Sequence, residues 1–395
     1  MRGVVLSAGG GQHGSLGQGD AVTQLSVLTP IRALEAHRVV AVSAGGHHSL
    51  VLTEEGRVFS FGNGLHGRLG HGNEETCFEP RRIAFFDTTA GVAKISAGTT
   101  HSLALTKDGK AYSFGFGMFG RLGHGDETDQ LLPREITLRG HGASPPVGDR
   151  VEENETDPVI EHVAAGYFHS LLLTTDGRVY SFGAGVMGAL GHGDRDKRLR
   201  PTMIEALADR RIVSMACGSA NTLVLDDEGR VFFFGLDYSE FPKFTEGQAR
   251  FVLLPSALGL AEEITEVRAG EGHCLLLTRE GKLLAFGLGK NGRLGLGDET
   301  NRLAPTAVTF PSNGTTSVEI DIACGAKHGL ALVDVPGEGP RLYAFGSGDQ
   351  GQLANGHRQD RASPTATTTS LPALLHQHIV PAAISAGKAH SLVLL

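Results

Sequence analysis

Apolar positions in this chain fall in short runs separated by glycine-bearing turns. The run HSLVLT (His48–Thr53) is followed by Glu55-Gly56 and then by RVFSFG (Arg57–Gly62). An acidic-Gly pair between two β-forming runs reads as a hairpin, because glycine accepts the positive φ that the turn needs. The second run opens into a glycine-rich loop, NGLHGRLGHG (Asn63–Gly72). Two more strand-like runs lie upstream of each such pair, as in PRRIAFF (Pro80–Phe86) and VAKISAG (Val92–Gly98). The pattern predicts four short strands per unit, and no long stretch carries the period of an amphipathic helix.

The unit recurs along the whole chain, and recurrence at about fifty residues overrides any local reading. The first motif, Ser-Ala-Gly or a variant, places glycine at Gly45, Gly98, Gly166, Gly218, Gly270, Gly325 and Gly387. Three residues later come His48, His101, His169, Asn221, His273, His328 and His390, separated by 53, 68, 52, 52, 55 and 62 residues. The last copy stops at His390–Leu395 with no hairpin partner, while the chain opens with GVVLSAGGGQHGSLGQGD (Gly3–Asp20), which is that partner and its loop. Joining the ends removes the exposed edges of an open array. The expected fold is all-β: a seven-bladed β-propeller of four-stranded antiparallel blades, closed by pairing of the N- and C-terminal strands. One domain would cover residues 1–395, with blades near 21–72, 73–125, 126–193, 194–246, 247–297, 298–355, and 356–395 closed by 1–20.

These two motifs, S-A-G-x-x-H-S-L-x-L and F-G-x-G-x-x-G-x-L-G-x-G, resemble the regulator of chromosome condensation repeat family over the entire chain. The resemblance implies the same seven-bladed propeller. It also implies two kinds of activity: a protein-interaction platform, or guanine-nucleotide exchange on a small Ran-like GTPase, as in the family's name-giving member. No catalytic residue carries over, because exchange in the family depends on a loop wedge and one propeller face. Chromatin docking there uses a basic N-terminal tail, and here Met1 runs almost directly into a strand. The family's plant UV-B photoreceptor senses light through tryptophan, and this chain has none.

Composition narrows the picture. Glycine is 56 of 395 residues, about twice the roughly 7% of average usage, and sits at fixed offsets as turns do. A net charge of −8 argues against a broad nucleic-acid or anionic-membrane face, so no direct DNA binding or membrane insertion is expected. The N-terminal apolar run is too short for a signal peptide, and no stretch reaches a membrane span. Cys77, Cys217, Cys274 and Cys324 form no C-x-x-C pair, and three of them fill small-residue slots of the repeat. Reduced thiols in a cytoplasmic or nuclear protein are the expectation.

The apparent chemistry is largely scaffold. G-x-G-x-x-G starts at Gly9, Gly62, Gly115, Gly183, Gly287 and Gly346, but each copy leads into another glycine-rich loop and not into a phosphate-binding helix. The repeat histidines come from separate units, so each is expected to bond within its own blade and not to share a metal. His71, His124 and His192 in L-G-H-G read the same way. No catalytic residue, cofactor or metal is assigned. Arg68, Arg121 and Arg293 share one slot of G-R-L-G. They read either as an anion- or acid-facing rim or as surface charges paired with acids such as Asp126 and Asp298.

Departures from the repeat carry more information. Residues 229–251 lose the G-x-x-G-x-L-G-x-G loop and substitute Asp237, Tyr238, Ser239, Glu240, Phe241, Pro242, Lys243 and Phe244, in the unit that also has Asn221 in place of histidine. Aromatic side chains on a loop of a rigid scaffold suit partner binding; the alternative is a degenerate blade whose phenylalanines plug a gap. An acidic, Pro/Gly-bearing insertion, Arg139–Pro158, is a second departure: a surface loop, a docking arm or a candidate wedge. The expected function is a non-catalytic protein–protein interaction platform, an adaptor or regulatory subunit, with exchange on a small GTPase as the alternative.

Overall fold

A computed structural model describes residues 3–138, 158–236, 251–311, 318–335, 339–368 and 382–395. Its strands form seven four-stranded antiparallel sheets, each blade following the last around an axis. Blade 1 runs from the inner strand Val39–Ala44 through His48–Thr53 and Val58–Gly62 to the outer strand Cys77–Arg82. Blades 2 to 6 occupy 92–135, 160–203, 212–257, 264–307 and 318–366. Blade 7 combines Ala383–Ala386 and His390–Leu394 with Val5–Gly10 and Gln24–Pro30. Val5 pairs with Leu394 and Gly9 with His390, so the two chain ends close the ring in one sheet.

The sheets begin one strand later than the sequence units suggest. Each glycine-rich loop folds back so that the strand after it pairs with the strand before it, Phe59 with Arg82 and Gly62 with Cys77. The short turn Ala84–Thr88 then carries the chain to the next inner strand. The strand expected to open a unit therefore closes the previous one. Antiparallel neighbours in sequence look alike in either assignment.

Second and third strands are buried on both faces, which is why they read as near-continuous apolar runs. Their side chains pack between blades. Leu52 and Val58 of blade 1 meet Val92, Ala104 and Phe114 of blade 2, and Leu392 and Leu394 of blade 7 meet Val39 and Val51 of blade 1.

Two polar circuits lock the blades at one end. The repeat histidines do not bond within their own blades as expected; five of them reach a hydroxyl of the next one. His48 Nε2 lies 2.8 Å from Ser102 Oγ, His101 2.8 Å from Ser170, His169 2.8 Å from Thr222, His328 2.9 Å from Ser391, and His390 2.9 Å from Ser49. Each hydroxyl gives its one proton to a loop carbonyl of the preceding blade, Ser102 to Arg68 O at 2.8 Å and Ser170 to Arg121 O at 2.8 Å. The imidazole must therefore donate through Nε2–H, which fixes a neutral tautomer with a bare Nδ1. Burial, then Arg121, holds His169 at about 4; burial holds His328 at about 4; burial and neighbouring imidazoles hold His390 at about 3. His71, His124 and His192 do bond within their blades, to Ser60, Ser113 and Ser181 at 2.9 Å.

The second circuit is backbone. Gly46 N–H donates to Gly98 O at 3.0 Å, Thr99 N–H to Gly166 O at 3.2 Å, and Lys388 N–H to Gly45 O at 3.1 Å, closing the ring. A Cβ on Gly98 would lie 2.6 Å from Gly166 O and 2.6 Å from His101 Cε1, so the close approach itself demands glycine.

A candidate protein-docking face

The glycine-rich loops and the turns after the inner strands emerge on one face of the propeller. Each described loop makes a tight turn, 3₁₀ in blades 1, 2 and 5, whose residue order is fixed by G-x-G-X-x-G, with position X at its start. In blades 1, 2 and 3 the tip residues are Leu65, Met118 and Val186, which are 48%, 42% and 54% exposed. Elsewhere the tip is polar: Gln12, Lys290 and Asp349. Phe168 and Met187 are also exposed beside this arc. Apolar tips exposed on three consecutive loops of one face form an arc that is a candidate interaction surface. The tip pattern was readable in the sequence but hidden inside a motif treated as scaffold.

The patch has a stiff aromatic centre. The Arg121 guanidinium lies 5.0 Å from the ring centre of Phe116, 5.7 Å from Phe119 and 5.5 Å from Phe168. His66 stacks on Phe116 at 4.1 Å and bonds Asp129 through Nδ1 at 2.8 Å. Rings held this way present area at little further loss of side-chain freedom.

Arg68, Arg121 and Arg293 are not solvent-facing rim charges; they are only 3%, 2% and 2% exposed. Asp126 and Asp298, their expected partners, pair with Arg134 at 3.8 Å and Arg302 at 2.8 Å. Each repeat arginine instead bonds its own loop and reaches to the next blade. Arg68 donates to Leu65 O at 2.9 Å and Thr99 O at 3.4 Å; Arg121 to Met118 O at 2.9 Å, Thr100 Oγ1 at 2.7 Å and Tyr167 O at 3.0 Å; Arg293 to Lys290 O at 2.9 Å and Ala326 O at 3.4 Å. Burial lowers Arg68 and Arg121 to about 10, still protonated at neutral pH. They hold the tips in place from beneath. Arg121→Lys should lower stability by about 2 kcal/mol, because an ammonium cannot reproduce the fork of donors. Urea unfolding followed by circular dichroism measures it.

Asp237, Tyr238, Glu240, Phe241 and Phe244 lie outside the described residues, as do residues 139–157 of the acidic insertion. What surrounds blade 4's altered loop is described. In five other seams the loop glycine of the repeat packs on the next blade's phenylalanine, as Gly70 on Phe114 and Gly191 on Phe234 at 3.0 and 2.9 Å from a Cβ position. Blade 4 has no such glycine, and Phe286 is 7% exposed where Phe61, Phe114, Phe182, Phe234 and Phe345 are 0%. Leu303, on the outer strand that the missing turn would cover, is 70% exposed. Asn221 Nδ2 meets Cys274 Sγ at 3.3 Å in place of the histidine–serine bond. Cys274 stands where a serine would need a loop carbonyl to donate to.

Inner strands line an axial cavity of about 310 Å³. On its wall Arg268 contacts Glu266 and lies 3.9 Å from Asp321, whose other oxygen accepts Ile384 N–H of blade 7 at 3.3 Å. The charges there join blades 5, 6 and 7. His162, facing the same space, is lowered to about 4 by burial, then by Lys94 and Arg268. All four cysteines are free thiols, and burial raises those of Cys217 and Cys324.

The family model described as the regulator of chromosome condensation (RCC1) repeat matches residues 2–52, 55–105, 108–173, 176–225, 280–332 and 341–394. The chain belongs to the regulator of chromosome condensation repeat family. The stretch that this family model passes over, 226–279, holds blade 4's altered loop and Cys274. Arabidopsis thaliana ultraviolet-B receptor UVR8 is 33% identical over 364 residues, covering 91% of this chain and 77% of that protein. The mouse E3 ubiquitin-protein ligase HERC2 is 33% identical over 350 residues, 87% of this chain but 7% of the ligase. The mouse regulator of chromosome condensation is 28% identical over 421 residues, covering 100% of this chain and 90% of that protein. Solved structures of human WBSCR16 and Saccharomyces cerevisiae Prp20p each superpose with a TM-score of 0.80 at 21% identity over 100% of this chain, covering 99% and 92% of theirs. They share the family's fold. No described helix is long and apolar enough to cross a membrane.

Proposed function

We propose that this repeat protein is a non-catalytic interaction platform, an adaptor or regulatory subunit whose partner seats on the loop face over blades 1 to 3. The observation that carries the reading is the switch of the loop tips from Gln12, Lys290 and Asp349 to Leu65, Met118 and Val186, apolar and exposed. The Leu65 and Met118 tips are held by buried Arg68 and Arg121, and a few rigid, well-packed residues carry most of a binding energy. The test is affinity capture from native lysate with the wild type and with Leu65→Asp/Met118→Asp/Val186→Asp. The tips are solvent-exposed, so the triple variant should fold. We expect loss of about 90% or more of the captured partner, since each buried anchor is worth about 2 kcal/mol. Full retention by the folded variant would remove this face from the proposal.

A second reading is nucleotide exchange on a small Ran-like GTPase. It is favoured by the full-length match to the mouse regulator of chromosome condensation and by the likeness to Prp20p, which was described with its binding to Gsp1p. An exchange factor binds the nucleotide-free GTPase more tightly than the loaded one. Repeating the capture with and without EDTA, together with release of a fluorescent GDP from a Ran-type GTPase, separates the two. A GTPase retained only after nucleotide stripping, with accelerated release, would replace the platform reading by this one.

A further inference from the structure

We propose that peroxide switches this docking face off by converting the thioethers of Met118 and Met187 to sulfoxides. This rests on the docking-face reading above and adds its regulation. Met118 and Met187 are 42% and 36% exposed on the loops of blades 2 and 3. The other described methionines are less open: Met203 is partly buried on the outer strand of blade 3, and Met215 is 5% exposed in the core between blades 3 and 4. Leu65, Phe168 and Val186 complete the exposed apolar set of the arc and carry no sulfur. On this arc the oxidisable side chains are therefore confined to two consecutive loops.

Both side chains stand on fixed backbone beside aromatic rings. Arg121 holds the Met118 carbonyl from beneath at 2.9 Å, and Phe119, next to Met118, meets Phe168 edge-on at 6.5 Å. Met187 follows Val186 in a loop whose Ala184 N–H donates to Phe168 O at 2.9 Å. In the oxidation, a sulfur lone pair attacks one oxygen of hydrogen peroxide. The O–O bond breaks, an S–O bond forms, and the departing hydroxide takes the transferred hydroxyl's proton and leaves as water. Sulfur is oxidised and the peroxide reduced. The product is a polar side chain whose oxygen loses its hydration when a partner covers it, which disfavours docking. Neither methionine belongs to a described core cluster, so the oxidised propeller stays folded.

The full chain is treated with hydrogen peroxide at neutral pH, and oxygen gained at each methionine is followed by peptide mass spectrometry. Met118 and Met187 should be oxidised about tenfold faster than Met215, because attack follows exposure. The treated protein, its fold checked by circular dichroism, then enters the native-lysate capture. The probe is the set of proteins that untreated wild type retains and Leu65→Asp/Met118→Asp/Val186→Asp loses. Their capture should fall about tenfold after peroxide and return after methionine sulfoxide reductase. In Met118→Leu/Met187→Leu, which keeps the apolar surface and all four cysteines, capture before and after peroxide should agree within about twofold, whatever its untreated level. Slow oxidation of both methionines, unchanged capture by the oxidised wild type, or an equal peroxide response of the leucine variant overturns the proposal. If capture still depends on the aspartate substitutions in any of those cases, the docking face stands without this switch; if capture is indifferent to them, both fall.

Discussion

Lowering the pH from 7.5 to about 5.5 will unfold this propeller, and the cause is the histidine circuit. His48, His101, His169, His273, His328 and His390 are all at most 1% exposed, and burial lowers every one of them. In the unfolded chain they return to about 6.5. Below that value the unfolded state binds protons that the native state refuses, so stability is complete above 6.5 and falls as the pH drops toward the folded values. Each imidazole contributes about 1.4 kcal/mol per pH unit, and six together remove roughly 8 kcal/mol by pH 5.5. Total stability of a domain is about 5–15 kcal/mol. Glu266 and Asp321, raised by burial, work in the opposite direction, but they are two groups against six. Circular dichroism against pH should show a steep transition between about pH 5 and 6. His48→Asn, which copies the natural Asn221 of blade 4, should make it shallower by about one proton. Unchanged urea stability between the two pH values would show that the rings are protonated in the fold.

The circuit also shows where the sequence stopped being legible. A period near fifty residues, an acidic-Gly hairpin and mismatched chain ends were enough to give the blade number and the closure. Neither the histidine's partner nor the arginine's burial could be read that way. Ser102 is the same repeat position as Ser49, so periodicity alone cannot say whether His48 bonds its neighbour within the blade or the copy 54 residues on. Arg68 looks like a surface residue because glycines surround it, yet those glycines let the loop lie flat against the next blade and cover the guanidinium. Blade boundaries slipped by a strand for the same reason, since an antiparallel neighbour exists on either side of every cut.

The departures were legible, but as separate facts. Asn221, Cys274 and the missing loop of residues 229–251 are physically one event. A thiol stands at 274 where most seams have a hydroxyl, and an amide that meets its sulfur replaces the imidazole. The exposure of Leu303 and Phe286 follows from the same loss. Seam 5–6 is altered differently. The residue opposite His273 is Gly329, and Phe345 fills the space that a Cβ would need, 2.5 Å away. There the turn N–H of Glu271 also shifts to Ala326 O. The apolar tips lie on blades 1 to 3, whose seams 1–2 and 2–3 carry both the histidine–serine and the backbone bonds, so the candidate docking face stands on a uniformly bonded part of the ring.

Gly98→Ala is expected to be strongly damaging to that part. The inner turns of blades 1, 2 and 3 are joined by Gly46 N–H to Gly98 O and Thr99 N–H to Gly166 O. A methyl at Gly98 meets Gly166 O at 2.6 Å and the His101 ring at 2.6 Å. Neither neighbour is the free end of a flexible chain: one is backbone, and the other is fixed by its bond to Ser170. Relief requires blades 2 and 3 to part, which breaks the Thr99–Gly166 bond and lengthens His101–Ser170. Overpacking of about 1–3 kcal/mol adds to about 1–3 kcal/mol for buried polar groups left unpaired, about 2–6 kcal/mol in total. Since Arg121 also spans this seam to Tyr167 O, the Met118 tip should loosen with it. Urea unfolding gives the first quantity, and hydrogen exchange of the residue 116–123 loop gives the second. A loss below about 1 kcal/mol would mean that the turn can shift at little expense. The glycine ring would then be spacing the blades without locking them.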